Sequence, residues 1–269
     1  MRSVCAAGAP MSGPLAEIAK AWSWFQDFAA SYLRGDSPML LLKVRHTERV
    51  ADLAGRIVTE LELAGEQRQS ALLAALLHDV GRFPQFVGWR TFRDADSVNH
   101  GRLGARVLRD ACVFAGETPA VRRMVIAAVA LHNRYALPAD LPERTLLVTR
   151  VVRDADKIDI LRIFSEELGK PDPSGDVVLH VANEPEKWTQ AIADMIVRGQ
   201  IPNYGQLRYV NDFIMLLCSW PNELNFPASV RLVREAGHIE RLLGYLPKTP
   251  ELDAARQAAR ERLMRRDAG

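Results

Sequence analysis

His46, His78, Asp79, His100 and His132 are the residues whose types and spacing could act together chemically, joined by one aspartate of the run Arg153-Asp154-Ala155-Asp156-Lys157. A neutral imidazole keeps one lone-pair nitrogen and a carboxylate offers two acceptor oxygens, so such a group suits divalent ions of borderline softness such as Fe, Mn, Zn, Co or Ni. No thiolate accompanies them. Cys5, Cys112 and Cys218 are odd in number, far apart and outside any metal-ligand spacing. They read as unpaired thiols of a reducing, cytoplasmic compartment.

Helical periodicity must position these groups. Residues 71–82, ALLAALLHDVGR, form an apolar helical run that delivers His78 and Asp79. The run is expected to stop at Gly81, in the left-handed conformation that lets a backbone turn away. A helix over 41–63 puts His46 on a stripe with Val50, Leu53 and Ile57. Ser97 is the expected N-cap of the next helix, where His100 shares a face with Leu103, Gly104, Val107 and Leu108. From Pro119, a further stripe runs through Val121, Val125, Ala128 and His132. A helix over 142–168 aligns Val152, Asp156, Ile160 and Ile163, while Asp154 has Val151, Ile158 and Leu161 at helical spacing. Periodicity leaves both aspartates open as ligands.

Each of these inward polar groups, if buried alone, would need its own compensating hydrogen bond. A single shared partner satisfies them together. Between the helices, residues 83–97 (FPQFVGWRTFRDADS) lack sustained periodicity and are expected to form a loop beside the site, with Arg90 and Arg93 on it. A first helix over 14–33 carries Trp22, Trp24, Phe25 and Phe28, which read as core.

The chain as a whole should be all-α. With 269 residues it can bury a sizeable core, and its 48% hydrophobic and 25% charged residues argue against general disorder. We expect a disordered leader at 1–13, a domain at 14–168 and a helical C-terminal extension at 169–269 packed on the same domain. The extension should hold helices near 186–198, 207–220, 228–246 and 251–265 and a short extended piece at 176–181. His180 and His238 lie there without partners at ligand spacing and read as ordinary histidines. A net charge of +2 gives no strong nucleic-acid signal, and no window is long and apolar enough for a membrane span. The oligomeric state is open, a homodimer included.

The order His46, then His78-Asp79, then Ala155-Asp156-Lys157 resembles the HD superfamily of metal-dependent phosphohydrolases, whose pattern is H…HD…D on a helical bundle. The resemblance spans about residues 40–168 and implies an HD-domain helical bundle. The family's Ala-Asp-(Lys/Arg) habit favours Asp156 over Asp154. His100 and His132 resemble the extra histidines of the family's two-metal branch, and HDVGR is similar to that branch's HDIGK, with Arg82 in place of lysine. The implied site places one ion on His46, His78, Asp79 and Asp156 and a second on Asp79, His100 and His132, from among Fe, Mn, Zn, Co, Ni or Mg. The implied reaction is cleavage of a phosphomonoester or phosphodiester, of a nucleotide by family habit, with a metal-activated water. Asp79, Arg82 and Lys157 are the implied catalytic and phosphate-binding residues. The same ligands also resemble the mixed-valent di-iron oxygenases of this fold. A non-catalytic nucleotide-binding module is the third expectation.

Overall fold

The computed structural model describes residues 18–33, 37–168 and 181–268. The leader expected at 1–13, Cys5, the loop after Leu168, His180 and all but the last residue of the piece at 176–181 lie outside them. Regular structure among the described residues is helical, as the periodicity predicts, and Ala182 and Tyr209 form an isolated parallel bridge. The chain divides into two compact units, Met1–Ala155 and Asp156–Gly269, and the boundary falls inside one unbroken helix.

The first unit holds α1 (Ala19–Tyr32), α2 (Pro38–Glu60), α3 (Gly65–Leu77), α4 (Arg82–Trp89), α5 (His100–Arg109), α6 (Pro119–Leu131) and the start of α7 (Glu143–Glu167). Helix α3 is its centre. Every residue from Ser70 to Leu77 is buried, because a helix apolar on all sides has no face to give to water. Helices α2 and α6 pack against α3, and α5 packs on α6. Thr118 caps α6 by accepting from the Val121 N–H, with Pro119 in the first turn where its missing N–H costs nothing. Phe25 and Phe28 of α1 meet Phe83 nearly edge-on, with ring centroids 5.8 and 5.7 Å apart. That geometry suits the aromatic quadrupole and clamps a residue four positions past Asp79.

Several local expectations are corrected. Gly81 is not left-handed: its φ of −66° is right-handed, and the chain passes from α3 through His78–Gly81 directly into α4. The glycine is required by space instead, since a Cβ there would lie 2.1 Å from the His100 carbonyl oxygen and 2.6 Å from the Gly104 nitrogen. The stretch 83–97 is not a loop throughout. Its first half is α4 and Asp94–Asp96 is a 3-10 turn. Phe83, Phe86 and Val87 fall at helical spacing, and Pro84 sits in the first turn, where proline is tolerated. The N-cap of α5 is Asn99, whose side chain accepts from the Arg102 N–H at 2.8 Å, whereas Ser97 donates to the Arg93 carbonyl.

The second unit contains the rest of α7, α8 (Gln190–Arg198), α9 (Val210–Ser219), α10 (Pro227–Ala236), α11 (His238–Tyr245) and α12 (Pro250–Ala268). The single helix expected over 228–246 is two, broken at Gly237, whose φ of +68° is the left-handed conformation glycine adopts without strain. Buried Asp212 accepts from the Thr189 N–H and hydroxyl, both at 2.7 Å, which fastens the start of α8 to α9. Cys112 and Cys218 are free thiols, as expected. Among the described residues no helix is long and apolar enough to cross a membrane.

Candidate metal centre

Four helices and the turn after α3 deliver the chemistry-bearing side chains to one place. His46 comes from the middle of α2, His78 caps the C-terminus of α3, Asp79 follows it, His100 opens α5 and His132 caps α6. All five are buried. Their donor atoms form two groups, His46, His78 and Asp156 in one and Asp79, His100 and His132 in the other, each with its ligand atoms within 4.8 Å of one another. Asp156 is the residue after Ala155 on unbroken α7, so the helix itself carries it to the first group. Asp154, also fully buried, belongs to neither group among the described residues.

Asp79 links the two groups. Its Oδ2 lies 3.7 Å from both His46 Nε2 and His78 Nε2, and its Oδ1 lies 3.4 Å from His100 Nε2 and 3.8 Å from His132 Nε2. One carboxylate thus serves two imidazole pairs with separate oxygens.

Hydrogen bonds on the far side of the rings set the protonation. The His78 Nδ1–H donates to the Ala75 carbonyl at 2.7 Å and the His132 Nδ1–H to the Val129 carbonyl at 2.8 Å. His100 Nδ1 donates to both Asp94 oxygens at 2.8 Å. With the proton fixed on Nδ1, a neutral ring keeps its lone pair at Nε2. His100 and His132 then turn two such nitrogens toward each other at 3.1 Å, and neither lone pair can donate to the other. His78 Nε2 and His46 Nε2 approach to 3.3 Å. Converging lone pairs around a carboxylate form a donor set for cations, and the carbonyl and carboxylate anchors behind them are those that orient metal-binding histidines. The residues therefore fit a divalent ion in each group.

The electrostatics agree. Burial alone would push the Asp79 carboxyl up, but Lys43, His78, Arg82 and His100 around it hold it well below the usual carboxylate range. Burial likewise opposes ionisation of Asp94. The hydrogen bond from His100, with the charges of His100 and Arg82, nevertheless brings it down to about 2. Burial, and then the Arg82 charge, push His100 below the ordinary histidine value against the pull of Asp94 and Asp79. All three directions favour ionised carboxylates around neutral imidazoles.

Arg82 and Lys157, both implied phosphate contacts, have protein partners. Arg82 Nε lies 3.4 Å from Asp79 Oδ1 without a hydrogen bond, and its Nη1 reaches Gln85, the Phe92 carbonyl and Asp94. Lys157 pairs with Glu223 and lies over the Trp220 ring. Arg93 pairs with Asp96 at the surface, and Arg90 ends α4 and lines a cleft of about 350 Å³ with Tyr32, Leu40, Phe86 and Val87. His238 is buried in the second unit, its Nδ1 3.4 Å from Ser165 Oγ, and belongs to neither group.

Four residues of the site are marked by no motif in the sequence. Lys43 Nζ reaches Asp79 Oδ2 at 2.8 Å, Asp94 holds His100, Gln85 donates to Asp94 Oδ1 at 2.9 Å and Asn133 donates to Asp94 Oδ2 at 2.9 Å. Lys43 had a signal, one turn before His46 on the same helix face. Asp94 had only its nearness in sequence to His100.

Residues 44–161 match the family model of the HD domain, a span that contains all six donors. The chain carries an HD domain. No curated protein and no solved structure matches it significantly. HD domains are all-α and are commonly metal-dependent phosphohydrolases, so the two donor groups are the metal-binding chemistry expected of this one.

Proposed function

We propose that this HD domain is a metal-dependent phosphohydrolase acting on a phosphate ester, with nucleotides as the substrate class. The observation that carries the reading is the division of the Asp79 carboxylate between two histidine pairs. His46, His78, Asp79 and Asp156 would hold one ion, and Asp79, His100 and His132 the second. A pair of divalent ions, when bound, supplies charge stabilisation for the phosphoryl oxygens and lowers the pKa of water from 15.7 toward about 7.

The chain's own residues do the rest. The Nδ1 anchors hold His78, His100 and His132 in the tautomer that presents Nε2, so no ring must reorient during turnover. Burial excludes bulk water, which strengthens every charge interaction at the centre. Arg82 keeps Asp79 and Asp94 in place and acts as a positioning residue. Lys157, beside Asp156, is the proposed phosphate contact, with Glu223 as its resting counter-ion. In the net reaction the water oxygen forms a new bond to phosphorus, the ester P–O bond breaks, and the leaving oxygen takes up the proton that water loses.

The test is phosphate release from phosphomonoesters, phosphodiesters and nucleotides by Mn²⁺-loaded protein under anaerobic conditions, with Asp79→Asn alongside. Release by the wild type and none by the variant supports hydrolysis. Release undiminished in Asp79→Asn overturns it, as does turnover found only with iron and dioxygen consumption.

A further inference from the structure

No motif marks Lys43, yet it makes the shortest contact to the carboxylate at the middle of the site. Its Nζ lies 2.8 Å from Asp79 Oδ2, the oxygen that also faces His46 and His78. Around it the side chains are closed off, His46 at 1% and Asp79 at 4% exposed, while Lys43 keeps 18% of its side chain exposed. The ammonium therefore stands on the open side of the centre. Its four-carbon stem can swing, and the Phe92 ring, 5.4 Å from Nζ, offers it a second favourable surface.

Charge decides what happens when an ion enters the first donor group. Asp79 Oδ2 balances one positive charge at short range. A dication placed among His46, His78 and Asp156 would share that oxygen with the ammonium, and like charges at such a separation repel strongly where water is excluded. Arg82 does not face this conflict, because Asp94 shares its charge at 3.2 Å. Lys43 is thus the cation that has somewhere to go. Displaced from Asp79, it would lie beside the donor groups with its charge uncompensated, where a phosphate-bearing substrate must sit.

We propose that Lys43 and a metal ion are alternative partners of Asp79 Oδ2, so that loading the site turns the Lys43 ammonium from a carboxylate counter-ion into a contact for an anionic phosphoryl group. The substrate half of this statement rests on the hydrolase reading; the exchange at Asp79 does not. Metal occupancy then prepares the anion subsite.

The experiment uses the full chain, stripped with chelator and titrated with Mn²⁺. Acylation of Lys43 by an amine-reactive reagent, read by mass spectrometry against exposed Lys248, should rise several-fold on loading. Lys43→Met should bind Mn²⁺ about tenfold more tightly than wild type, the scale on which groups contacting a ligand tune metal affinity. Inorganic phosphate should bind the loaded wild type more tightly than loaded Lys43→Met. Labelling of Lys43 that does not change with Mn²⁺ overturns the exchange, as does a Lys43→Met affinity equal to or weaker than wild type. Equal phosphate binding overturns the substrate half. None of these readouts uses turnover: increased labelling in a protein that releases no phosphate would leave the exchange standing and the hydrolase reading fallen.

Discussion

The histidines on either side of Asp79 are anchored in two different ways. His132 and His78 are each held by a carbonyl of their own helix, three residues back, and such an anchor comes with the helix itself. His100 is held by a side chain, Asp94, which in turn accepts from Arg82, Gln85 and Asn133. A carbonyl anchor cannot be tuned without breaking a helix. A carboxylate relay can be tuned one residue at a time, so the hold on His100 can be adjusted while the carbonyl-anchored His78 and His132 stay in place.

The largest effect is expected at Asp79, the residue that both donor groups share. Asp79→Ala removes an oxygen from each group and leaves the incoming cations poorly compensated, so metal content should fall from near two ions per chain toward none and turnover should drop at least about a thousandfold. Elemental analysis beside a phosphate-release assay checks it. Retention of both ions would mean that Asp79 does not join the two groups. The next largest effect separates the halves: His100→Ala with His132→Ala should cost one ion and leave the other.

Gly81 sharpens the contrast through backbone rather than side chain. Its missing Cβ lets the turn after Asp79 lie against the His100 carbonyl and Gly104. Gly81→Ala forces those segments apart and should destabilise the protein by about 1–3 kcal/mol, the usual cost of overpacking. Thermal denaturation of the metal-free variant reads this, and weakened binding of one ion, with the other unchanged, would place the displacement on the His100 side.

Much of this was legible in the sequence, and the limits have physical causes. The donors and helices were visible because burying His46, His78, His100 and His132 on apolar stripes is both periodic and costly. Asp156 was separable from Asp154 only by family habit, since both lie on apolar faces of α7 and differ in which neighbour they meet. Asp94 was hidden because its role depends on a 3-10 turn bringing it back to a histidine six residues later, and no periodicity encodes that return. Gly81 was recognised as special for the wrong reason: sequence marks where a glycine is tolerated, while a close approach from α5 depends on tertiary packing. The break at Gly237 was missed because apolar periodicity continues across it.

The smallest expected effects test the relay itself. Asp94→Asn keeps the size of the side chain but removes the charge that holds His100, and should weaken one ion by about tenfold to a hundredfold while sparing the other. The same substitution has a pH signature in protein stripped of metal. Asp94 titrates near 2 in the folded chain, against an ordinary value of 3.8, so between these values the unfolded chain binds a proton that the folded chain does not. Stability from this group is complete above about 4 and is lost as pH falls toward 2. His100, lowered below 6.5 by burial first, has the same sign in a higher window: the unfolded chain protonates first, so stability falls as pH drops through 6.5 and levels off below the folded value. Asp94→Asn should therefore flatten the acid limb between about 4 and 2. It should extend the His100 limb to lower pH, because the hydrogen bond that raises His100 is gone. Denaturant titrations at a series of pH values measure both limbs. An acid limb identical in the two proteins would show that Asp94 does not carry the charge that holds His100, and the contrast between the two halves would reduce to geometry.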